Sequence, residues 1–309
     1  MSSRDLPASS PVPKGHIRVA QLHAVRRLID ELGGKSEKVF ASLQLDPAVL
    51  DRPDNVLPVS VVAELLDRAA EETRCEHFGL LAGSYSGIDK LGLPGRLMLS
   101  CATVGLALEV LFRFFHLHNR AAIPIVRSRG DTAALGYAVL EGGFRGVHQL
   151  QDGAMAAALN IMRRLLGNAW CPDEVHLVTR DPRKPEAYAA FFGSPCRFNQ
   201  ACSELIFPAS TLDLPVLAQI ANPSDVVAAT GDFGSQLDLA DWPELVHRMV
   251  FSLLLKGGCN QTVLARSVGM TARTLNRRLE QHGLSYRQIL DDSRFSASRT
   301  LIRETDLPL

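Results

Sequence analysis

The sequence predicts an α+β N-terminal domain followed by an all-α C-terminal module. Helical periodicity dominates the first 120 residues, and alternating strand-like segments then occur between residues 122 and 207. After residue 242 the pattern is helical again, with almost no strand signal. A chain of 309 residues, 46% hydrophobic and 21% charged, is long enough for two domains with cores of their own.

The N-terminal part reads as a short tail followed by helices. Residues 1–15 contain Ser, Pro and Lys without an apolar run, which predicts a disordered tail. The periodic stretch from Val19 to Leu32 ends at Gly33, a helix stop signal. Thr103 is a good N-cap for an amphipathic helix. The apolar positions that share one face of that helix are Leu108, Leu111, Phe112 and Phe115.

The pattern in the middle of the chain predicts that secondary-structure elements follow the helices in the order β-β-α-β-α-β-β. A Gly-Asp turn at 129–132 separates the first two strands. The predicted elements are strands at 122–129 and 134–140, a helix at 149–166, a strand at 175–179, a helix at 185–192 and a short hairpin formed by Phe198 and 204–207. We assign residues 16–221 to this domain.

Composition excludes several classes of protein. Lys+Arg and Asp+Glu are both 33, so a protein that coats nucleic acid through a uniformly basic surface is excluded. No apolar run approaches the roughly 18 residues of a membrane span, and no secretory signal is visible, so we expect a cytoplasmic protein. The six cysteines form no CxxC pair and the nine histidines no ligand pattern, so no metal is expected. Nucleotide-binding and hydrolase motifs are absent, which predicts no cofactor and no enzyme.

The C-terminal part differs in charge from the rest. Residues 222–242 carry Pro, Gly, Ser and four Asp, which is typical of a linker. From Pro243 to Leu309 there are ten Lys or Arg against six Asp or Glu, a net charge of +4. Although the net charge of the whole chain is zero, residues 243–309 therefore form a basic module.

The spacing of apolar residues within this module is typical of a helix-turn-helix. A short helix ends near Gly269, which suits a tight turn, and Thr271 is a good N-cap for a second helix. Ala265 is small where two helices must cross, with Leu264 and Leu275 in the small core between them. An ordinary αα-hairpin with a solvated face remains the alternative.

The second helix, at about 272–280, presents residues suited to reading bases. Arg273, Asn276 and Arg277 lie at i, i+3 and i+4, so they share one face. Arg pairs with guanine O6 and N7 and Asn with adenine N6 and N7 in the major groove. This face predicts binding of double-stranded DNA.

These residues resemble the AraC/XylS family of transcription regulators. The C-terminal match comprises Arg273–Leu279, Gly283–Tyr286, Leu290 and Arg294. The N-terminal match comprises Leu57–Pro58, His77–Leu80 and Leu205–Pro208, and is similar to the arabinose-binding-type effector domain of the branch that includes ornithine-utilisation regulators.

The resemblance implies a function and a set of roles. It implies a homodimer that binds a small-molecule effector through its N-terminal domain and promoter DNA through its C-terminal module, with RNA polymerase as a further partner. Arg273, Asn276 and Arg277 would face base edges, and Thr271, Ser285 and Arg287 would lie near phosphates. Arg278 is either a phosphate contact or a packing residue.

The resemblance also implies two helix-turn-helix units joined by a long helix, which Tyr286–Arg303 fits. Thr305–Leu309 would open the second unit, so we expect the chain to lack that unit. Two other functions stay open: a truncated, dominant-negative partner of the full-length regulator, and a small-molecule enzyme with an accessory DNA-binding module.

Candidate effector contacts lie where the aromatic helix meets the first strand of the middle region. Phe112 and Phe115 would form a wall and Arg127 would reach an anionic ligand; the alternatives are core packing for the aromatics and a solvated strand face for the arginine. The complete set of candidates is Phe112, Phe115, His116, His118, Arg120 and Arg127. A pocket between the N-terminal helices and the sheet is the other location considered.

Overall fold

In the computed structural model the described residues are 12–140, 143–180, 182–217, 242–255, 259–267 and 270–304. They fall into two units, one up to residue 217 and the other from 242 to 302. The predicted mixed class is confirmed, because the first unit combines helices with a sheet, and the described part of the second consists of helices.

Short helices build the first part of the N-terminal unit. The predicted helix from Val19 to Leu32 is wrong as one element: a 3₁₀ turn spans Val19–Leu22 and an α-helix follows. The predicted cap is confirmed, since the Thr103 hydroxyl accepts a hydrogen bond from the Leu106 amide at 3.4 Å. The helices are α1 (Val25–Glu31), α2 (Ser36–Ser42), α3 (Val59–Thr73), α4 (Phe78–Ser84), α5 (Leu93–Leu99) and α6 (Val104–Phe114).

Sequence periodicity missed a small two-stranded sheet. Strand β1 (His16–Arg18) pairs antiparallel with β2 (Val56–Pro58). The predicted tail is too long, because Val12 is fully buried and the Gly15 carbonyl accepts a hydrogen bond from the Val59 amide at 2.9 Å. Three-residue strands are too short to show an alternating pattern. Residues 1–11 lie outside the described residues.

A five-stranded sheet forms the second part of this unit. Its strands run in the order β3, β4, β7, β5, β6. Strands β3 and β4 form the expected hairpin around Gly130, whose φ of +59° suits glycine. The elements are β3 (Ala122–Arg129), β4 (Thr132–Val139), α7 (Val147–Leu166), β5 (Glu174–His176), α8 (Pro185–Phe192), β6 (Cys196–Arg197) and β7 (Ser203–Pro208).

The predicted hairpin of Phe198 with 204–207 is wrong. β6 instead pairs parallel with β5, and β7 lies between β4 and β5. The Asn199 and Gln200 amides donate to the carbonyls of Thr179 and Leu177, so the chain after β6 follows the end of β5. The chain therefore continues beside β5, and β7 pairs with β5 instead of folding back to pair with β6.

Helix α7 packs closely against α4 through glycines. A Cβ atom at Gly79 would lie 2.0 Å from the Gln149 carbonyl oxygen, and one at Gly83 would lie 2.2 Å from the Gly153 carbonyl oxygen. Only glycine permits this approach of the two backbones. The contact fixes the face of α7 that borders the cavity described below.

The second unit is a set of helices around a small core. They are α9 (Trp242–Leu255), α10 (Gln261–Ser267), α11 (Ala272–Gln281) and α12 (Tyr286–Glu304). The buried apolar side chains of this core are Val246, Val250, Leu264, Ala265, Leu275, Leu279 and Ile289. The predicted linker up to residue 241, the turn at Gly269 and the segment Thr305–Leu309 lie outside the described residues.

Candidate functional sites: an internal cavity and an exposed helix

The first unit contains an internal cavity of about 100 Å³. It lies between the N-terminal helices and the sheet, with walls from α3, α4, α7, β3 and β4. The space exists because the lining residues of α7 between Leu150 and Ile161 are all small, and β4 contributes a glycine. These residues are Gly153, Ala154, Ala157, Ala158 and Gly136.

A buried polar cluster stands at one end of this cavity. His118, Asn119 and Tyr137 line it and are each at least nine-tenths buried. The Asn119 Nδ2 donates to the Tyr137 hydroxyl at 3.0 Å, and its Oδ1 accepts from the amides of Ala121 and Ala122. Asn119 is therefore a rigid support that holds the Tyr137 hydroxyl at the cavity wall.

The His118 imidazole is neutral. Burial, and secondarily the nearby Arg18 guanidinium, lower the pKa of His118 to about 3. Its Nδ1 has no hydrogen-bond partner among the described residues. A neutral imidazole with an unmatched ring nitrogen is equipped to bond one polar atom of a ligand.

The structure brings together two of the six effector candidates. Phe115 and His118 line the cavity, and the Phe115 ring contacts the His118 and Tyr137 rings at centroid distances of 5.9 and 6.3 Å. The other four, Phe112, His116, Arg120 and Arg127, do not line it.

Local geometry explains where those four residues lie instead. Phe112 is only half-buried. His116 is buried with its Nδ1 3.1 Å from the Arg113 carbonyl oxygen. Arg120 is half-buried, and Arg127 forms an ion pair with Glu204 of β7. The ion pair to β7 therefore holds the Arg127 guanidinium away from the cavity.

Sequence reasoning missed Tyr137 and the cavity beside the small residues of α7. The available signal was the density of Gly and Ala at 153–158 on a helix whose other apolar residues, such as Leu150, Leu159 and Ile161, are large. Small residues on a buried helix face indicate either close helix packing or an unfilled space, and both occur on α7.

One more buried group on α7 is ionisable. Asp152 is fully buried and accepts hydrogen bonds from the Thr179 hydroxyl at 2.6 Å and the Tyr188 hydroxyl at 2.8 Å. Burial raises the pKa of Asp152 to about 7, against the lowering effect of these two bonds. These hydrogen bonds connect α7 to α8 and to the segment that follows β5.

The second candidate site is the exposed face of α11. The Thr271 hydroxyl caps this helix by accepting from the Thr274 amide at 3.2 Å. Arg273 and Arg277 are exposed, whereas Leu275 and Leu279 are buried on the opposite face. The helix therefore presents two guanidinium groups on a rigidly supported surface.

Asn276 has a different environment from its two neighbours on that face. It is half-buried, and its Oδ1 accepts a hydrogen bond from the Gln261 Nε2 of α10. The bond ties α11 to α10. Asn276 thus positions the helix, and its amide nitrogen is the part left for other contacts.

The remaining predicted DNA contacts lie on α11 and at the start of α12. Arg278 is half-buried. Ser285 and Gln288 form a reciprocal capping box, in which the Gln288 amide donates to the Ser285 hydroxyl at 3.2 Å and the Ser285 amide to the Gln288 Oε1 at 3.0 Å. The Arg287 side chain is 91% exposed, 3.9 Å from Asp291.

Two other kinds of feature were searched for within the described ranges. No helix there is long and apolar enough to cross a bilayer. The same residues contain no cluster of three or more His, Cys, Asp or Glu side chains that could hold a metal ion.

Comparison with known proteins identifies the family. A family model described as the arabinose-binding domain of AraC transcription regulator, N-terminal, matches residues 33–216, which is more than half of the chain. The chain belongs to the AraC family of transcription regulators.

Similar proteins within this family cover nearly the whole chain. The ornithine utilization regulator of Pseudomonas aeruginosa is 26% identical over 297 residues, which are 95% of this chain and 87% of that protein. The HTH-type transcriptional regulator VirS of Mycobacterium tuberculosis is 26% identical over 291 residues, with 92% and 85% covered.

A solved structure shares the fold. The crystal structure of the transcriptional regulator CdpR from Pseudomonas aeruginosa matches with a TM-score of 0.50 and 22% identity, over 91% of this chain and 86% of that one.

Proposed function

We propose that this AraC-family chain is a DNA-binding transcription regulator that responds to a small molecule. The observation that carries the proposal is the exposed Arg273–Arg277 face of α11, set opposite a buried face in a basic module. In this proposal α10 and α11 form a helix-turn-helix, and α11 is the helix that enters the major groove.

Each side chain of the module has a distinct role in this proposal. Arg273 and Arg277 contact guanine O6 and N7. Asn276 fixes α11 on α10 through Gln261 and offers its amide nitrogen to a base. Thr271 caps the start of α11, where the remaining N-terminal amides form a favourable site for a phosphate.

Other contacts in this proposal are to the DNA backbone. Arg278 and Arg287 neutralise phosphates, and Ser285 orients the start of α12 toward the backbone through its capping box. Such contacts set the register and the salt dependence of binding without reading sequence.

The first unit supplies the response in this proposal. A molecule bound in the cavity stabilises one of two conformations of the effector unit, and the population shift changes how a homodimer engages promoter DNA and RNA polymerase. The cavity supports this role because it is internal, pre-formed and lined by a few oriented polar groups.

The test is selective capture of genomic DNA fragments by the protein, followed by measurement of affinity for the captured site and its single-base variants. Arg273→Ala should relax discrimination at one base position by about 1–3 kcal/mol. Arg27→Ala is the matched control, since Arg27 is an exposed arginine of α1 in an i,i+4 pair with Glu31.

Two results would contradict the proposal at different points. Equal weakening of all sequences by Arg273→Ala would make Arg273 a phosphate contact. The absence of any selective capture at low salt would overturn the assignment of this chain as a sequence-specific regulator.

A further inference from the structure

The chemistry of the cavity walls limits which molecule the first unit binds, and this inference rests on the proposed sensing function. Most of the wall is aliphatic or aromatic, from residues such as Leu66, Leu111, Phe115 and Ile161. None of the described residues that line the cavity is Asp, Glu, Lys or Arg. The walls therefore offer no counterion to a charged ligand.

The cation whose charge acts on His118 is already compensated. Arg18, whose charge acts on His118, does not line the cavity. Its guanidinium donates to the Leu117 carbonyl at 2.8 Å and pairs with Asp54 at 3.1 Å. An ionised ligand would leave water without gaining a partner, and the cost of that transfer is large.

The polar capacity of the cavity is small. His118 Nδ1 is buried without a hydrogen-bond partner among the described residues. The Tyr137 hydroxyl accepts from Asn119, which leaves its hydrogen to donate. Gln21, also a lining residue, has a buried and unmatched Oε1. These atoms match one polar group, with a donor and an acceptor, but not a molecule polar on every side.

The volume indicates a suitable size for a ligand. At about 100 Å³ the cavity is somewhat smaller than an apolar cavity of about 150 Å³ that binds benzene. A single six-membered ring or a short alkyl chain is therefore of the size that matches this space.

We propose that the cavity binds an uncharged, mainly apolar small molecule whose single hydroxyl or carbonyl group bonds to His118 and Tyr137. A pentose has several hydroxyls that these walls would leave unpaired, and ornithine carries charges that they would leave unmatched. The ligand class is thus distinct from the arabinose and ornithine that appear in the names of the family domain and of one relative.

The first experiment titrates the full chain with small probes by calorimetry and by ligand-observed NMR. Phenol and toluene have nearly the same shape and differ by one hydroxyl, whereas benzoate adds a charge. We expect phenol and toluene to bind at one site, and benzoate, L-arabinose and L-ornithine not to bind there at the same concentration. Saturable binding of L-arabinose, L-ornithine or benzoate in place of the neutral probes would overturn the proposal.

Variants then locate the site. Ala157→Leu places a larger side chain into the cavity from α7 and should abolish binding of both neutral probes. His118→Phe removes the unmatched nitrogen, and should lower the ratio of phenol affinity to toluene affinity about three- to tenfold, as expected for one hydrogen bond. His116→Phe is the matched control, because His116 is buried nearby and does not line the cavity.

These outcomes separate the inference from the proposed function. If Ala157→Leu leaves probe binding intact, or His118→Phe leaves the ratio unchanged, the assigned site or its polar end is wrong. If His118→Phe does not fold, the wild-type probe series and Ala157→Leu still decide the class and place of the ligand. DNA capture is measured without any probe, so failure of capture would overturn the regulator assignment while leaving the cavity result standing.

Discussion

The two units of the molecule build their candidate sites in opposite ways. In the first unit the site is an internal space, left where α7 carries Gly153 and Ala157 instead of larger side chains, with its polar atoms buried. In the second unit the site is a surface, where Arg273 and Arg277 are exposed above a small core. The proposed sensing site is thus a space left by small side chains, and the proposed DNA-binding site is an exposed surface with positive charge.

The difference has an energetic consequence. The first unit has an extensive core, so an unfilled space of about 100 Å³ is a small fraction of its packing. In the described part of the second unit the core cluster comprises only seven buried apolar residues, so each one supports a large share of the exposed helix. The same kind of substitution should therefore have different effects in the two units.

The largest effect is expected from Leu264→Ala. Leu264 is fully buried in the core of the second unit, and its truncation should cost about 2–5 kcal/mol of unfolding free energy. We expect loss of DNA capture together with retention of phenol binding by the first unit. Hydrogen exchange resolved by segment measures the two units separately. Val263→Ala is the control, because Val263 is adjacent and 38% exposed.

If Leu264→Ala also removed exchange protection from α7, the two units would share one folding transition. The size of each unit's core would then not explain how its stability responds to Leu264→Ala.

The next effect tests the close packing beside the cavity. Gly79→Ala places a Cβ atom 2.0 Å from the Gln149 carbonyl oxygen, so α4 and α7 must separate. The expected cost is about 3 kcal/mol, at the upper end for overpacking. Thermal unfolding measures it, and probe binding should weaken because α4 and α7 both form cavity walls. Gly87→Ala should be nearly neutral, since the nearest atom to its added Cβ is 3.4 Å away.

The same contrast explains how much the sequence alone could predict. The exposed face of α11 follows from local helical spacing, so Arg273 and Arg277 could be located without a structure. The bond from Gln261 to Asn276 joins two helices, and helical spacing alone gave no sign of it.

The cavity depends on contacts far apart in sequence, and this is why its prediction was incomplete. His118 and Phe115 were found because they cluster locally, whereas Tyr137 is brought beside Asn119 by the β3–β4 hairpin. The false hairpin near Phe198 has the same origin. Neighbouring strand-like segments were paired by proximity, while β7 pairs instead with β4, whose residues are about 70 positions earlier.

The pH dependence of the unfolding free energy tests a buried ionisable group of the first unit, in contrast to the exposed charges of the second. The Asp152 carboxyl has an ordinary pKa of 3.8, and burial raises it to about 7. Between these values the folded state holds more protons than the unfolded state. Asp152 therefore adds stability as the pH falls from about 7 to about 4, by at most about 1.4 kcal/mol per pH unit.

Asp152→Asn should remove this dependence. Relative to the wild type, the variant should gain unfolding free energy as the pH rises through that window, as measured by urea unfolding at several pH values. Asp173→Asn, at an exposed carboxylate that follows α7, is the control substitution. A wild type and Asp152→Asn with parallel pH profiles would mean that the Asp152 carboxyl is ionised in the folded protein.

The smallest effect sharpens the role of the surface site. The Thr271 hydroxyl accepts from the Thr274 amide, so Thr271→Ala should destabilise α11 by about 1 kcal/mol, whereas Thr271→Ser keeps the cap and should cost little. If the helix start binds a phosphate through its backbone amides, Thr271→Ala should weaken DNA binding at all sequences alike, and Thr271→Ser should not. A change in base preference in either variant would show that Thr271 contacts a base edge. The exposed surface would then read sequence from the N-terminus of α11 as well as through Arg273 and Arg277.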